Sequence, residues 1–259
     1  MRVTHIYHSG FAVELSACTL LFDWYTGELP QLRHGLPLVV FVSHEHHDHY
    51  GQCIWPLREQ FPNVSYVLDK DVAANAPTDA RVTAVEPHMA YELQLPAASG
   101  PDPTTLRVQT LESNDEGVAF LVRACGTTIY FSGDLNSWQW ARPAEQNAAS
   151  EKFFRTELER IAHGPVDLAF VPIDPRLEDP TAGIAAFMDV VGTHALVPMH
   201  YWGRAEEARA LMADPRLAPY SGITHFEDVC ELPDPPKPTR GARPWASVGL
   251  AARKRPRSA

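Results

Sequence analysis

The feature that most constrains the fold is an apolar run, Leu38–Val42, that leads without a break into residues 43–49, SHEHHDH. Five consecutive apolar residues predict a β-strand buried on both faces, as in a sheet covered by helices. A loop that follows such a strand presents its side chains from a rigid support. The chain must therefore contain a buried sheet with a cluster of imidazole and carboxylate groups at one strand end.

That cluster has the composition and spacing of a metal-binding loop. His44 and His46 are two residues apart, so in an extended loop they leave the same side, and Asp48 and His49 follow after a turn. Imidazole nitrogen and carboxylate oxygen are ligands that divalent Zn, Mn and Fe accept. The alternative is a histidine-rich surface loop, but histidines this close repel one another when protonated. The segment therefore predicts a metal site.

The rest of the chain predicts an α/β fold in which strands precede helices twice. Further strands are predicted from short β-rich or apolar runs at residues 3–7, 11–15, 19–22, 64–68, 81–85, 118–124, 127–131, 168–173 and 195–199. Helices are predicted at residues 51–60, 150–162 and 181–191, and a loop at 97–104. This order predicts two sheets packed face to face with helices outside.

Proline and charge divide the chain into a folded domain and a tail. Residues 233–244 contain five prolines, so we expect a folded domain at residues 1–232 and a disordered tail at 233–259. The tail carries seven basic residues after Pro236 and no acidic ones, which leaves 15 basic against 32 acidic residues, or −17, in the remainder. A body this acidic repels polyanions, so nucleic acid is not the expected partner.

The remaining composition indicates a protein of the cytoplasm. The four cysteines are scattered without a CxxC pair, which predicts reduced thiols. No apolar run approaches the ~20 residues that span a bilayer, and the amino terminus enters a strand pattern without a secretory signal. We therefore expect a cytoplasmic location and no membrane partner, and the sequence leaves the oligomeric state open.

His44-x-His46-x-Asp48-His49 matches the HxHxDH motif of the metallo-β-lactamase superfamily, and the chain resembles that family over most of residues 1–203. Gly133-Asp134 resembles the family's strand-end aspartate that bridges two metals, Met199-His200 its final histidine ligand, and Phe22-Asp23 the early aspartate that supports the ligands. The resemblance implies an α/β fold, a four-layer αβ/βα sandwich. It also implies a metal centre made by His44, His46, Asp48, His49, Asp134 and His200.

One departure from the family pattern concerns a histidine that normally precedes the bridging aspartate. The corresponding segment here, residues 111–117, reads LESNDEG. By family roles, His44 and His46 belong to a first site that has lost a ligand, whereas the second site is complete. Either an oxygen replaces the imidazole, which would favour Mn or Fe over Zn, or a single ion binds. The candidates for that oxygen belong to Glu112, Asn114 and Asp115.

A subgroup of small superfamily hydrolases has a similar Ser-x-Asp-Glu-Gly segment and a Gly-Asp-Leu-Asn motif, and this chain resembles it. The resemblance implies an enzyme, a hydrolase that holds one or two divalent ions, Zn first. It would direct an activated water at an ester, lactone or phosphodiester of a small molecule, with Asp48 also passing a proton to the leaving group. The alternatives are a non-catalytic metal-binding module and a redox protein of the di-iron type, whose usual flavin domain is not visible here.

Side chains that follow the strand ends are the candidates for the substrate pocket. They are His8, Trp24, Tyr25, Trp138, Trp140, Asp174, Arg176, Tyr201 and Trp202. Arg176 could bind a carboxylate or phosphate of the substrate, or it could pair with Asp174 or Glu178 as scaffolding. His8 lies at a turn, where a structural hydrogen bond is the competing interpretation, and Trp202 is the best placed of the aromatic residues.

Overall fold

A computed structural model describes residues 1–96 and 104–233, and in this part of the chain the strands form two sheets. The first contains β1 (Arg2–Tyr7), β2 (Gly10–Glu14), β3 (Thr19–Phe22), β4 (Leu38–Val42), β5 (Val64–Asp69), β6 (Val82–Val85) and β13 (Val229–Glu231). The second contains β7 (Ala90–Leu95), β8 (Thr104–Glu112), β9 (Val118–Ala124), β10 (Thr127–Phe131), β11 (Leu168–Pro172) and β12 (Leu196–Met199). The orders are β13-β1-β2-β3-β4-β5-β6 and β12-β11-β10-β9-β8-β7.

Helices cover the outer face of each sheet. The short helices α1 (Leu57–Gln60) and α2 (Lys70–Ala73) pack on the first sheet, and α3 (Ala144–Glu159), α4 (Ala182–Val190) and α5 (Ala205–Leu211) pack on the second. This is the four-layer αβ/βα sandwich expected from the sequence. Within the described ranges, no helix combines the length and the apolar character needed to cross a bilayer.

Strand β4 shows why five apolar residues occur in a row. Val39 and Phe41 pack into the core between the two sheets. Leu38, Val40 and Val42 point the other way and pack under the helices of the first sheet. Because side chains alternate across a strand, a strand with both faces covered needs apolar residues at every position. The run that predicted a buried strand is therefore explained by the layer on each side of it.

The carboxyl ends of parallel strands bring the polar loops together. β3 pairs parallel to β4 in the first sheet, and β10, β11 and β12 are parallel in the second. The two sheets join at this edge, where Val118 N donates to the carbonyl of Ser43 at 3.0 Å. Gly117 makes the approach possible, because a Cβ there would lie 2.1 Å from that carbonyl oxygen, and its φ is +67°.

Most predicted elements are confirmed, and the differences have local causes. Helix α3 begins at Ala144, directly after Pro143, because residues 144–149 favour a helix without showing apolar periodicity. The helix predicted at 51–60 is split before Pro56 into a 3₁₀ turn and α1. No bounds were predicted for strands β7, β8 and β13 or for helices α2 and α5. The tail predicted at 233–259, apart from Pro233, and residues 97–103 of the predicted loop lie outside the described residues.

Candidate metal centre

The structure brings the six metal ligands predicted from the sequence to one edge of the sandwich. The 43–49 loop follows β4, Asp134 follows β10, and His200 follows β12. All of the six except His46 are buried. Their donor atoms fall into two groups that meet at Asp134.

One group contains the donors of Asp48, His49 and His200. Together with His8, their ligand atoms all lie within 4.8 Å of one another. Asp134 adjoins the group, because its Oδ1 lies 3.1 Å from Nε2 of His49 and 3.4 Å from Nε2 of His200. These donors make the more deeply buried of the two candidate sites.

The other group contains His44, His46, Asp115 and Asp134, whose ligand atoms also lie within 4.8 Å of one another. Nε2 of His44 lies 3.6 Å from Oδ2 of Asp134 and 3.0 Å from Nδ1 of His46. The two carboxylate oxygens of Asp134 therefore face different donor groups. That is the position of a carboxylate that bridges two cations.

Asp115 occupies the place of the missing histidine, whereas Glu112 and Asn114 do not. Oδ2 of Asp115 lies 3.7 Å from Nδ1 of His46. The Asn114 amide instead donates to the carbonyl of Asn136 at 2.8 Å and accepts from its backbone N at 3.2 Å. The carboxylate of Glu112 belongs to a separate surface group outside the centre. Of the three candidate oxygens, only that of Asp115 joins the donors.

Hydrogen bonds orient the buried rings through their second nitrogen. The three contacts are Asp23 Oδ2 with His49 Nδ1 at 2.7 Å, Asp174 Oδ2 with His200 Nδ1 at 3.2 Å, and Ser43 Oγ with His44 Nδ1 at 2.9 Å. Each contact leaves Nε2 facing the centre, which is how metal-binding histidines are held in proteins. Asp174, predicted for the pocket wall, is thus a buried support for His200. Nothing in the sequence pattern had singled out Ser43.

Unpartnered polar atoms point into the centre. Nε2 of His49 and Oδ1 of Asp134 are buried and have no regular hydrogen-bond partner among the described residues. Buried polar groups are almost always satisfied, because an unpaired one costs about 1–3 kcal/mol. A divalent cation among these nitrogen and oxygen donors would satisfy His49 and Asp134 together. The residues present therefore fit a metal ion.

The protonation states of His44 and Asp134 suit metal ligands, whereas His49 would lose a proton to a metal ion. Although burial lowers the pKa of His49, Asp134 and Asp23 raise it well above the usual value. Burial and the neighbouring His49 together lower the pKa of His44 to about 3, so the ring is neutral at pH 7. Although burial raises the pKa of Asp134, the rings of His49 and His200 lower it well below its usual range. Burial and the charge of Asp134 raise the pKa of Asp115. Repulsion between these two carboxylates is the kind of interaction that a bound cation relieves.

Backbone strain is concentrated at the same place. His8, Asp23 and His200 have φ angles of +53°, +39° and +65°. Residues other than glycine rarely adopt positive φ, and such conformations cost about 1–3 kcal/mol each. The surrounding fold therefore holds three side chains at this centre against a local preference, as is common at functional sites.

An open cleft of about 190 Å³ leads from the surface to Asp48, Asp115 and Asp134. Its outer wall is formed by Trp138, Trp140, Arg176 and Trp202. Five residues predicted for the pocket do not line it. Trp24 donates to the carbonyl of Gly27, Tyr25 lies beside Tyr7, the Tyr201 hydroxyl contacts His5 Nδ1, and His8 and Asp174 are buried beside Asp48 and His200. Glu116, which the sequence analysis did not select, lies 2.7 Å from Nε2 of His46.

His8 is held beneath the cleft in a single tautomer. The backbone N of Trp202 donates to Nδ1 of His8 at 3.4 Å, so the ring proton belongs on Nε2. That nitrogen lies 3.4 Å from Oδ2 of Asp48. Burial lowers the pKa of His8 to about 4, and the rings of His200 and His49 contribute to the decrease. His8 therefore orients Asp48 as a neutral donor.

We expect this burial to make metal-free protein sensitive to acid. The pKa of His8 falls from 6.5 when unfolded to about 4 when folded, so the unfolded state binds the proton more readily and stability is lost as the pH falls from 6.5 towards 4. The decrease corresponds to roughly 3 kcal/mol at most. Urea unfolding of chelated wild type and His8→Gln at pH 7.5 and 4.5 measures it. The variant should lose less stability, and equal losses would contradict the role of His8.

Comparison with known proteins agrees with this geometry. No family model matches the chain. A protein of Opitutus terrae named UPF0173 metal-dependent hydrolase is 26% identical over 216 residues, which cover 78% of this chain and 85% of that protein.

Solved structures share the architecture over most of their length. Igni18, a metallo hydrolase from Ignicoccus hospitalis, matches with a TM-score of 0.59 and 13% identity over 90% of this chain and 99% of that chain. YhfI from Bacillus subtilis, a metallo-β-lactamase fold protein, matches with a TM-score of 0.52 and 17% identity over 81% of this chain and 90% of that chain. The chain therefore has the metallo-β-lactamase fold, as the resemblance of its sequence implied.

Proposed function

We propose that this protein is a metal-dependent hydrolase that acts on an ester, lactone or phosphodiester of a small molecule. The observation that carries the proposal is the position of Asp134, whose two carboxylate oxygens face separate groups of buried donors at the base of an open cleft. The hydrolase name of the Opitutus terrae relative supports the same activity. We propose two ions, with zinc first and manganese or iron as alternatives because Asp115 adds an oxygen ligand.

The donors would be used as follows. His44, His46, Asp115 and Asp134 would hold one ion, and Asp48, His49, Asp134 and His200 the other. Bound divalent ions supply a water acidic enough to attack at neutral pH and a Lewis acid for the carbonyl or phosphoryl oxygen.

Asp48 is the residue best placed to move a proton. Although burial raises its pKa, the hydrogen bond from His8 lowers it below the usual range, so the group is a carboxylate. It lies at the cleft floor, and its Oδ2 is 4.0 Å from Nε2 of His200. We propose that Asp48 accepts a proton there and passes it to the leaving group, while Nε2–H of His8 fixes its orientation.

The proposed partner is a small molecule in the cytoplasm. The cleft is small, and the described body is acidic, so a polyanionic nucleic acid would be repelled. Carboxylates at the cleft would strengthen that repulsion wherever the ions do not neutralise them.

Metal analysis of protein purified without chelators tests the proposal. We expect close to two equivalents of divalent metal, and turnover of at least one member of a panel of phosphodiesters, lactones and esters. Chelation should abolish that turnover, and the added metal should restore it. His225→Gln, which removes a contact with Glu227 away from the centre, is the matched control and should leave the metal content unchanged.

Other results would select another function. Absence of stoichiometric metal would contradict the proposal outright. Metal without turnover of any panel member would indicate a non-catalytic binding module. Iron with visible absorbance and oxygen consumption would indicate a redox protein of the di-iron type.

A further inference from the structure

Arg176 is the one cationic side chain that lines the cleft beside the candidate metal centre, within the residues that the structure describes. Its Nε contacts both carboxylate oxygens of Asp174, at 2.9 and 3.0 Å, and its Nη2 contacts Oδ2. Nη1 has no hydrogen-bond partner in the described part of the chain. The two interpretations of Arg176 from the sequence are therefore compatible. Nε and Nη2 pair with Asp174 as scaffolding, and Nη1 remains available to bind a ligand.

Two indole rings fix the plane of that guanidinium. Its central carbon lies 4.7 Å from the ring centroid of Trp202 and 5.7 Å from that of Trp140. Cation–π contacts and the fork on Asp174 leave the side chain little rotational freedom. The side chain is still 42% exposed, and it lines the cleft. A donor held in this way is preorganised for an incoming acceptor.

The rest of the cleft wall is flat and aromatic. Trp138 and Trp140 are stacked at 6.0 Å with an interplanar angle of 13°, and Trp138 also contacts the ring of His200. The volume of about 190 Å³ lies below the roughly 300–1,000 Å³ of pockets for drug-sized ligands. The cleft therefore suits a small molecule with a planar part.

We propose that the substrate is a small planar ester, lactone or phosphodiester that also bears a carboxylate, whose oxygen accepts from Nη1 of Arg176 while the planar part lies against the tryptophan wall. This inference rests on the proposed hydrolase function, since it assigns the substrate class of that centre. Asp23, Asp48, Asp115, Glu116 and Asp134 carry −5 at the centre, and two divalent ions would carry +4, so the ions would remove most of the repulsion that an anion meets there. Arg176 supplies the positive charge that the carboxylate would contact.

Calorimetric titration of zinc-loaded protein with benzoate and with its neutral isostere benzamide tests the inference. We expect wild type to bind benzoate at least about tenfold more tightly than benzamide, because a charge-assisted hydrogen bond contributes more than a neutral one. Arg176→Met should weaken benzoate binding about 10- to 100-fold and leave benzamide binding unchanged. Arg204→Met removes a neighbouring exposed arginine that pairs with Glu207 and should change neither affinity.

A second variant separates ligand recognition from support of the centre. Because Arg176 contacts Asp174, which orients His200, zinc content is measured in every variant. If Arg176→Met loses zinc, Arg176→Lys becomes the test variant. Because its ammonium group stays with Asp174, zinc should be retained, whereas the preference for benzoate over benzamide should be lost.

Four results would overturn the inference. In the first, wild type binds benzoate no more tightly than benzamide, and in the second, a zinc-retaining Arg176 variant keeps the preference for benzoate. In the third, Arg204→Met loses as much benzoate affinity as Arg176→Met, and in the fourth, wild type binds phenylphosphonate more tightly than benzoate. The second result would mean that the carboxylate binds the metal instead. A wild type that takes up no zinc contradicts the hydrolase proposal itself, whereas intact zinc with any of these four results contradicts only the substrate class.

Discussion

Replacing Asp134 with asparagine is expected to empty both metal positions and to abolish turnover. Asp134 is 4% exposed, and its two oxygens face His44 on one side and His49 and His200 on the other. The amide has the same shape, but it removes the charge that both cations would share. Loss of one partner from a buried ionic contact costs about 3–5 kcal/mol, which corresponds to a decrease in metal affinity of roughly 10²- to 10³-fold or more at each position.

Elemental analysis after dialysis, together with turnover of the best panel substrate, measures this effect. Asp69→Asn is the matched control, because Asp69 is also a buried aspartate after a strand but caps helix α2 through the backbone N of Asp71. The control should lose some stability and keep its metal. Retention of two equivalents of metal by Asp134→Asn would show that this carboxylate does not bridge the centre, and the proposed function would lose its main support.

The part of this centre that the sequence predicts is the part determined by local pattern. The apolar runs predict the buried strands, and ligands such as Asp134 and His200 lie directly after them. Strand β7 was missed although Tyr91, Leu93 and Leu95 alternate with Glu92 and Gln94 and pack on the core at an edge of the second sheet. A period of two over only six residues is a weaker local signal than a continuous apolar run.

The supports of the centre were harder to predict because they depend on contacts between distant segments. Ser43 bonds to Asp23 Oδ2 at 2.6 Å and to His44 Nδ1 at 2.9 Å, and no periodic pattern encodes that geometry. Asp174 looked like a wall residue because it follows a strand, yet its carboxylate turns inward to His200. Position along a strand indicates which edge a residue occupies, but only packing determines where its side chain points.

Residues 111–117, which lack the usual histidine, also show that packing decides where a side chain points. Sequence alone offered the oxygens of three neighbouring residues as substitutes, with no local reason to choose. The close approach of Gly117 to Ser43 places the segment so that Asp115 faces His46. Asn114 instead donates to the carbonyl of Asn136 and holds the segment in place. The choice of ligand follows from a glycine that permits close approach.

Replacing Asp115 with alanine is therefore expected to lower the metal content from two equivalents to one. The variant leaves His44, His46 and Asp134 at the first position, and it leaves every donor of the second position in place. Loss of one carboxylate ligand from a partly exposed position should weaken that ion at least about 10-fold, and turnover should decrease by at least a similar factor. The measurement is metal content as a function of zinc activity in a buffered titration.

Two further variants make the result specific to the ligand. Asp115→His restores an imidazole to the first position and should recover the second equivalent of metal, whereas Asn114→Ala, which loses only the bonds to Asn136 and Ser150, should lower the melting temperature and keep both ions. Asp115 also lies beside Asp134, which both positions share, so retention of one equivalent of metal by Asp115→Ala would show that the deeper position is intact. One equivalent in wild type, unchanged in Asp115→Ala, would mean that the protein holds a single ion and that the segment around Asp115 has no ligand role.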